Sequence, residues 1–125
     1  MPAALDAARL LAAGRIVVGG ALVAAPGTFG RPWMGAGADT PGGSVAVRCF
    51  GVRDAFVGAL TLAALRRDPR AAGTLVAVQT VLDATDGLAL WTQRRRLPPL
   101  ATPIAAGAGA TVLSGLAIGA LLRRG

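Results

Sequence analysis

Several residue types on which enzymes and metal sites commonly depend are absent from this sequence. It contains no His, Lys, Glu, Tyr or Asn, and it has a single cysteine, Cys49. Without His the chain cannot form a Ser-His-Asp triad or a His metal site, and without Lys it can form neither a Schiff base nor a P-loop. One cysteine excludes an internal disulfide and a Cys-rich zinc site. The sequence therefore predicts no metal and no cofactor.

Charge is also scarce, and what is present has an unusual form. Charged residues make up 15% of the 125 residues and hydrophobic residues 54%, with a mean hydropathy of +0.59. An ordinary soluble domain carries about 25% charged residues. The net charge is +7, but the basic residues, all Arg, lie in short runs beside apolar segments, and five aromatic residues offer no platform for stacking bases. We therefore expect anionic lipid of the bilayer as a partner, and no nucleic acid.

Four apolar segments cover most of the chain, at about residues 9–25, 45–65, 71–91 and 101–122. Each has the length that a helix needs to cross a hydrocarbon core of about 30 Å at 1.5 Å per residue. The segments between them are rich in Pro, Gly and Arg, which is typical of helix ends and turns. The sequence predicts one all-α domain over residues 1–125, an integral membrane four-helix bundle with short loops and one longer loop between helices 1 and 2.

Two other interpretations of these segments are a cleaved signal peptide at the N-terminus and a soluble, Ala-rich helical bundle. Arg15 stands late for a signal peptide, and the fourth segment lacks the broad polar face of a soluble helix. A multi-pass protein of the cell membrane is favoured. With four crossings, six Arg lie on the side of the termini and four on the other side. This balance slightly favours cytoplasmic termini.

Charged residues inside the predicted spans are the main functional signal, and these are Arg15, Arg48, Arg53, Asp54, Asp83 and Asp86. An Asp or Arg at the centre of a bilayer costs about 2.5–3.5 kcal/mol, so these residues are expected to pair or to face water. At 1.5 Å per residue, four of the six lie at nearly one depth. Since a guanidinium can bind two carboxylate oxygens at once, we expect the three Arg to neutralise the three Asp in one polar cluster.

Spacing within the third span predicts a shared polar face. Asp83 and Asp86 are three residues apart, and Gln79 lies four residues before Asp83. Two neighbouring carboxylates hold their protons differently when an Arg breaks their symmetry, as a general acid beside a general base requires. The candidate catalytic residues are therefore Asp83, Asp86, Asp54 and Arg53, supported by Arg15, Arg48 and Gln79. A cluster that only fixes helix register is the alternative.

Four motifs together resemble a known family. They are Gly14-Arg15, the run Arg48-Cys49-Phe50-Gly51-Val52-Arg53-Asp54, Leu65-Arg66-Arg67, and Asp83-x-x-Asp86. In these the chain resembles small actinobacterial membrane proteins of unknown function that are similar in architecture to DoxX-like four-helix proteins. The resemblance extends from about Leu10 to Leu122 and implies four transmembrane helices, but it implies no reaction.

Three functions remain open on the sequence alone. The first is a membrane component or subunit that associates with itself or with another membrane protein. The second is a membrane-embedded enzyme that applies Asp acid–base chemistry to a lipophilic small molecule. The third is a proton or ion pathway, which the uncharged fourth segment makes the weakest. A cavity reaching the Asp83–Asp86 face would favour the enzyme over the component.

Overall fold

The computed structural model describes residues 2–124, which are almost entirely helical and contain no β-strand. Four helices are long, and one is short. The helices are α1 (Pro2–Ala24), α2 (Pro26–Met34), α3 (Pro41–Arg67), α4 (Pro69–Gln93) and α5 (Ala101–Arg124), with a 3-10 helix at Gly35–Asp39 before α3. The predicted all-α class is confirmed.

The predicted long loop between the first two spans is wrong, because the segment is helical. Residues 26–44 contain α2, the 3-10 helix and the first turn of α3. Two of their three prolines, Pro26 and Pro41, lie in the first turns of α2 and α3, where a backbone N–H has no helical acceptor. The third, Pro32, lies inside α2. The Thr40 hydroxyl accepts a hydrogen bond from the Gly43 N–H at 3.0 Å and caps α3.

The long helices pack as two close antiparallel pairs, α1 with α3 and α4 with α5. In the first pair, Gly19 faces Gly51 and Gly58 faces Ala12, so closely that a Cβ added at Gly58 would lie 2.5 Å from the Ala12 carbonyl oxygen. In the second pair, a Cβ added at Gly73 would lie 3.0 Å from the Gly119 carbonyl oxygen. Small residues thus let the backbones of each pair approach, as in membrane helix packing.

The two pairs meet more loosely, mainly through α3 against α4. At one end a small apolar cluster joins α1, α3, α4 and α5 through Ala4, Ala8, Leu65, Ala72 and Leu122. At the other end, Leu22, Ala38 and Val47 pack beneath Trp33 and Phe50. Since most buried apolar residues are Ala, these clusters supply little hydrophobic driving force.

Two of the four predicted spans, rather than all four, are long and apolar enough to be recognised as candidate membrane helices. These are α1 and α5, and only 22% of the residues in each apolar window are buried. In α3 the residues Arg48, Arg53 and Asp54 interrupt the apolar segment, and in α4 Asp83 and Asp86 lower its hydropathy. The four-span architecture therefore depends on how these charges are arranged.

Candidate functional site

Arg15 of α1 connects three helices through its guanidinium group. Its Nη1 donates to Asp54 Oδ1 on α3 at 3.2 Å, and its Nη2 lies 2.5 Å from both carboxylate oxygens of Asp83 on α4. The side chains are 15%, 11% and 13% exposed respectively, so water screens these pairs weakly. Arg15, predicted as a supporting residue, is the centre of the cluster.

Arg53 of α3 forms the second bridge to α4. Its guanidinium donates to both oxygens of Asp86, at 3.2 Å from Nη1 to Oδ1, and Nη2 also lies 3.4 Å from Asp54 Oδ1. The same guanidinium lies 4.4 Å from the ring centroid of Phe50, one turn earlier on α3, within cation–π distance. The Arg53 side chain thus passes over the Phe50 ring to reach Asp86. Sequence reasoning missed Phe50, because spacing alone does not distinguish it from an apolar packing residue.

Five of the predicted site residues therefore meet as one group, which we call the Arg/Asp cluster: Arg15, Arg53, Asp54, Asp83 and Asp86. Every ion pair of the cluster except the one between Arg53 and Asp54 joins different helices. Arg15 and Arg53 link α1 and α3, which already pack together, to α4. The cluster is thus the main polar connection between the two helix pairs.

Arg48 lies outside the Arg/Asp cluster. Its Nε donates to the Val23 carbonyl oxygen at 3.2 Å, and its Nη1 donates to the Ser44 hydroxyl at 3.2 Å. The reason is its position near the start of α3, almost two turns before Asp54. Two guanidinium groups rather than three therefore face three carboxylates, and the cluster carries one excess negative charge when all five groups are ionised.

Gln79 is buried next to the cluster without bonding to it. Its Nε2 donates to the Thr61 hydroxyl of α3 at 2.6 Å, and the Thr61 hydroxyl donates to the Val57 carbonyl oxygen at 2.9 Å. The pair is a separate polar contact between α3 and α4, closer than the cluster to the turn that joins the two helices.

Replacement of Thr61 by Val is expected to destabilise the protein by about 1–3 kcal/mol, because it leaves the buried Gln79 amide without its acceptor. The matched control is Thr85→Val, because Thr85 is exposed and bonds only within α4. It is expected to change stability by less than about 0.5 kcal/mol. Thermal unfolding in detergent measures both. Equal midpoints for the two variants would contradict the role assigned to this contact.

Two grooves reach the Arg/Asp cluster, and a much smaller cavity of about 10 Å³ also borders Arg15 and Asp83. The first, called the α1–α5 groove, has a volume of about 310 Å³ and is lined by Leu10, Leu11, Gly14, Arg15, Val18, Asp54, Asp83 and Thr111. The second, of about 360 Å³, lies between α4 and α5 and is also bordered by Asp83. Asp86 lines neither groove. Thr111 of α5 thus lies beside the cluster.

The predicted pairing of Asp83 with Asp86 about one Arg takes a different form. The two carboxylates lie on one side of α4, but Asp83 pairs with Arg15 and Asp86 pairs with Arg53. Because α1 and α3 each present one Arg to α4, the adjacent carboxylates have separate partners. Asp54, between the two Arg, is the carboxylate that shares its partners.

Comparison of the chain with protein-family models, with curated proteins and with solved structures found no match. The resemblance to DoxX-like membrane proteins stays a prediction from the motifs, of which Arg-x-Phe-Gly-x-Arg-Asp supplies Phe50, Arg53 and Asp54 to the site.

Proposed function

We propose that the chain is a multi-pass integral membrane protein, in which α1, α3, α4 and α5 each cross the bilayer and the Arg/Asp cluster holds the two helix pairs together within it. It acts as a small membrane component or subunit. Its single-chain core is stabilised by close helix packing and by ion pairs rather than by a large apolar interior.

One observation carries this proposal: large apolar side chains lie outside on every long helix, whereas the charges at the centres of α1, α3 and α4 lie inside. Large apolar residues are strongly exposed on all four, with Val17 71%, Phe56 62%, Val81 64% and Leu113 72% exposed. The central charges of α3 and α4, by contrast, turn inward and pair. A soluble protein rarely exposes apolar surface on this scale, whereas lipid is its natural solvent.

This arrangement also explains how α3 and α4 could cross lipid despite their charges. The insertion cost of about 2.5–3.5 kcal/mol per charge applies to an unpaired group facing the membrane. When the central charges pair between helices, they do not face the lipid. The surfaces of α3 and α4 that face it then consist of apolar residues such as Val52, Leu60, Val78 and Leu88, all exposed. The Trp91 ring, partly exposed and covered by the Arg94 guanidinium at 4.0 Å, lies near the end of α4, where indole is favoured at a membrane surface.

Cysteine labelling from one side of the membrane tests the four crossings. The protein's single cysteine is first replaced, as Cys49→Ala, and one new cysteine is introduced at exposed Ala3, Ala36, Ala71 or Gln93. We expect a membrane-impermeant maleimide applied outside intact cells to label Ala36→Cys and Gln93→Cys. Ala3→Cys and Ala71→Cys are expected to react only after permeabilisation, in line with cytoplasmic termini.

Ala71→Cys is the decisive position in that experiment. If only α1 and α5 crossed the bilayer, positions 36, 71 and 93 would all lie on the same side, and Ala71→Cys would react together with Ala36→Cys. That pattern would contradict the proposal. The reverse pattern, with positions 3 and 71 labelled from outside, would keep four crossings and overturn only the orientation.

An acid–base enzyme acting on a lipophilic substrate is the second candidate, and the α1–α5 groove is the observation that favours it. The groove brings Asp54 and Asp83 within reach of a molecule arriving from the lipid. However, Asp83 holds a guanidinium on both oxygens and Asp86 does not border the groove. The component therefore accounts for more of the geometry than the enzyme does.

A further inference from the structure

We propose that the α1–α5 groove binds a lipophilic ammonium ion, whose charged head pairs with Asp54 and whose apolar tail extends toward the lipid. This inference rests on the four-span protein proposed above, since the groove must open to the bilayer. Three features of the groove support the proposal: the net charge of the cluster, the Asp54 oxygen that accepts no hydrogen bond, and the apolar walls.

The charge of the Arg/Asp cluster favours a single positive charge as the occupant. Arg15 and Arg53 supply two positive charges against three negative ones, and α5 contributes to the groove only the neutral hydroxyl of Thr111. A net charge in a low-dielectric setting attracts a counterion strongly. A monovalent cation leaves the cluster neutral, whereas an anion would add a second uncompensated charge.

Asp54 offers the place for that cation. The residue is only 8% exposed, and both of its bonds, from Arg15 and from Arg53, go to Oδ1. Among residues 2–124 its Oδ2 accepts no hydrogen bond, and the residue lines the α1–α5 groove. This oxygen is not buried without a partner but remains accessible, so an ammonium N–H can donate to it with a matching charge.

The walls of the groove select the rest of the ligand. Leu10, Leu11 and Val18 of α1 line it, and Leu10 and Val18 are strongly exposed toward the surroundings of the helix. The volume of about 310 Å³ lies within the range of small-molecule sites, which combine apolar walls with a few placed polar groups. A metal ion fits less well, because no group of three or more metal-ligating residues converges within the described residues. An amine with a hydrocarbon tail matches both the negative charge of the cluster and the apolar walls of the groove.

Equilibrium dialysis of the full chain in a nonionic detergent tests this binding, with empty micelles as the blank. The probes are octylammonium, octanoate and octanol, which share one tail and differ in charge. We expect octylammonium alone to bind saturably, at one molecule per chain. Equal uptake of octanoate or octanol would show adsorption by the apolar surface and would overturn the proposal.

Two variants locate the site. Asp54→Asn removes the excess charge but leaves the pairs of Arg15 with Asp83 and of Arg53 with Asp86, and it is expected to weaken octylammonium binding roughly tenfold or more. Gly14→Leu places an apolar side chain in the groove while all five residues of the cluster stay unchanged. A Cβ at Gly14 meets nothing within 4 Å, and the variant is expected to have the same effect. Gly20→Leu, equally open but outside the groove, and Asp6→Asn, exposed and remote, are the controls and should bind normally.

The outcomes separate this proposal from the one on which it rests. Circular dichroism and thermal unfolding show whether Asp54→Asn is folded, and if it is not, Gly14→Leu decides alone. Octylammonium binding that survives Gly14→Leu would overturn the groove as the site. Absence of binding by a protein whose labelling shows four crossings would overturn only the ligand, whereas labelling that shows two crossings overturns the membrane proposal itself.

Discussion

Replacement of Arg15 by Gln is expected to be the most destabilising single change in this protein, at about 3–5 kcal/mol, the typical cost of removing one partner from a buried ion pair. Within residues 2–124, Arg15 alone bonds to both Asp54 and Asp83, and all three side chains are at most 15% exposed. Without it, Asp83 loses its guanidinium and Asp54 keeps only the 3.4 Å contact with Arg53. Thermal unfolding of the detergent-solubilised protein measures the loss.

Two matched variants sharpen that experiment. Arg48→Gln removes an Arg of α3 that lies outside the cluster and bonds only to the Val23 carbonyl and Ser44, and it should cost less than about 1 kcal/mol. The double variant Arg15→Gln with Asp83→Asn should be more stable than Arg15→Gln alone, because the unpaired carboxylate is gone. Similar unfolding midpoints for Arg15→Gln and Arg48→Gln would contradict the importance given to the cluster.

Adjacent glycines of α1 are expected to respond in opposite directions when each is changed to Ala. A Cβ at Gly19 would lie 2.6 Å from the Ala55 backbone nitrogen of α3 and still closer to the Gly51 carbonyl oxygen, so α1 and α3 must separate. Overpacking of this kind costs about 1–3 kcal/mol. A Cβ at Gly20 meets nothing within 4 Å, and the change should stabilise the helix by about 0.5–1 kcal/mol.

The difference between these two variants tests the helix pairing independently of any charge. Both positions lie in the same turn, and each gains one methyl group, so helix propensity and hydropathy change equally. Unfolding midpoints measured in one detergent should fall for Gly19→Ala and rise for Gly20→Ala. If both variants shift in the same direction by similar amounts, the close contact between α1 and α3 is not present in solution.

The sequence predicts those parts of the site that follow from helical periodicity and from the free-energy cost of an unpaired charge in the bilayer. The shared face of Gly51, Asp54, Gly58 and Thr61 on α3 follows from 100° per residue, and all four residues are buried. The meeting of Arg53 with Asp86 follows from their similar depth and the cost of leaving either alone. These inferences need only the helix and its solvent.

Other features depend on contacts that spacing does not encode. Counting 1.5 Å per residue from the midpoints of the predicted spans places Arg15 and Asp83 on opposite sides of the bilayer centre, yet the Arg15 guanidinium contacts both oxygens of Asp83. Arg48 carries the same guanidinium group, but it donates to the Val23 carbonyl oxygen rather than to a carboxylate. The sequence predicts a loop over residues 26–44 because Pro and Gly often break helices, whereas Pro26 and Pro41 lie where a helix begins. The partner of each Arg and the helical conformation of residues 26–44 thus depend on tertiary packing, which the spacing of residues does not encode.

A double-mutant cycle on Arg53 and Asp86 tests the central claim most directly, namely that charges from different helices stabilise each other inside the bilayer. Unfolding free energies are measured in lipid bicelles for Arg53→Met, Asp86→Asn and the double variant. If the claim holds, the double variant loses less stability than the two single variants together, with a coupling of about 0.5–3 kcal/mol. Losses that add to within about 0.3–0.5 kcal/mol would mean that the two residues act independently, and would contradict it.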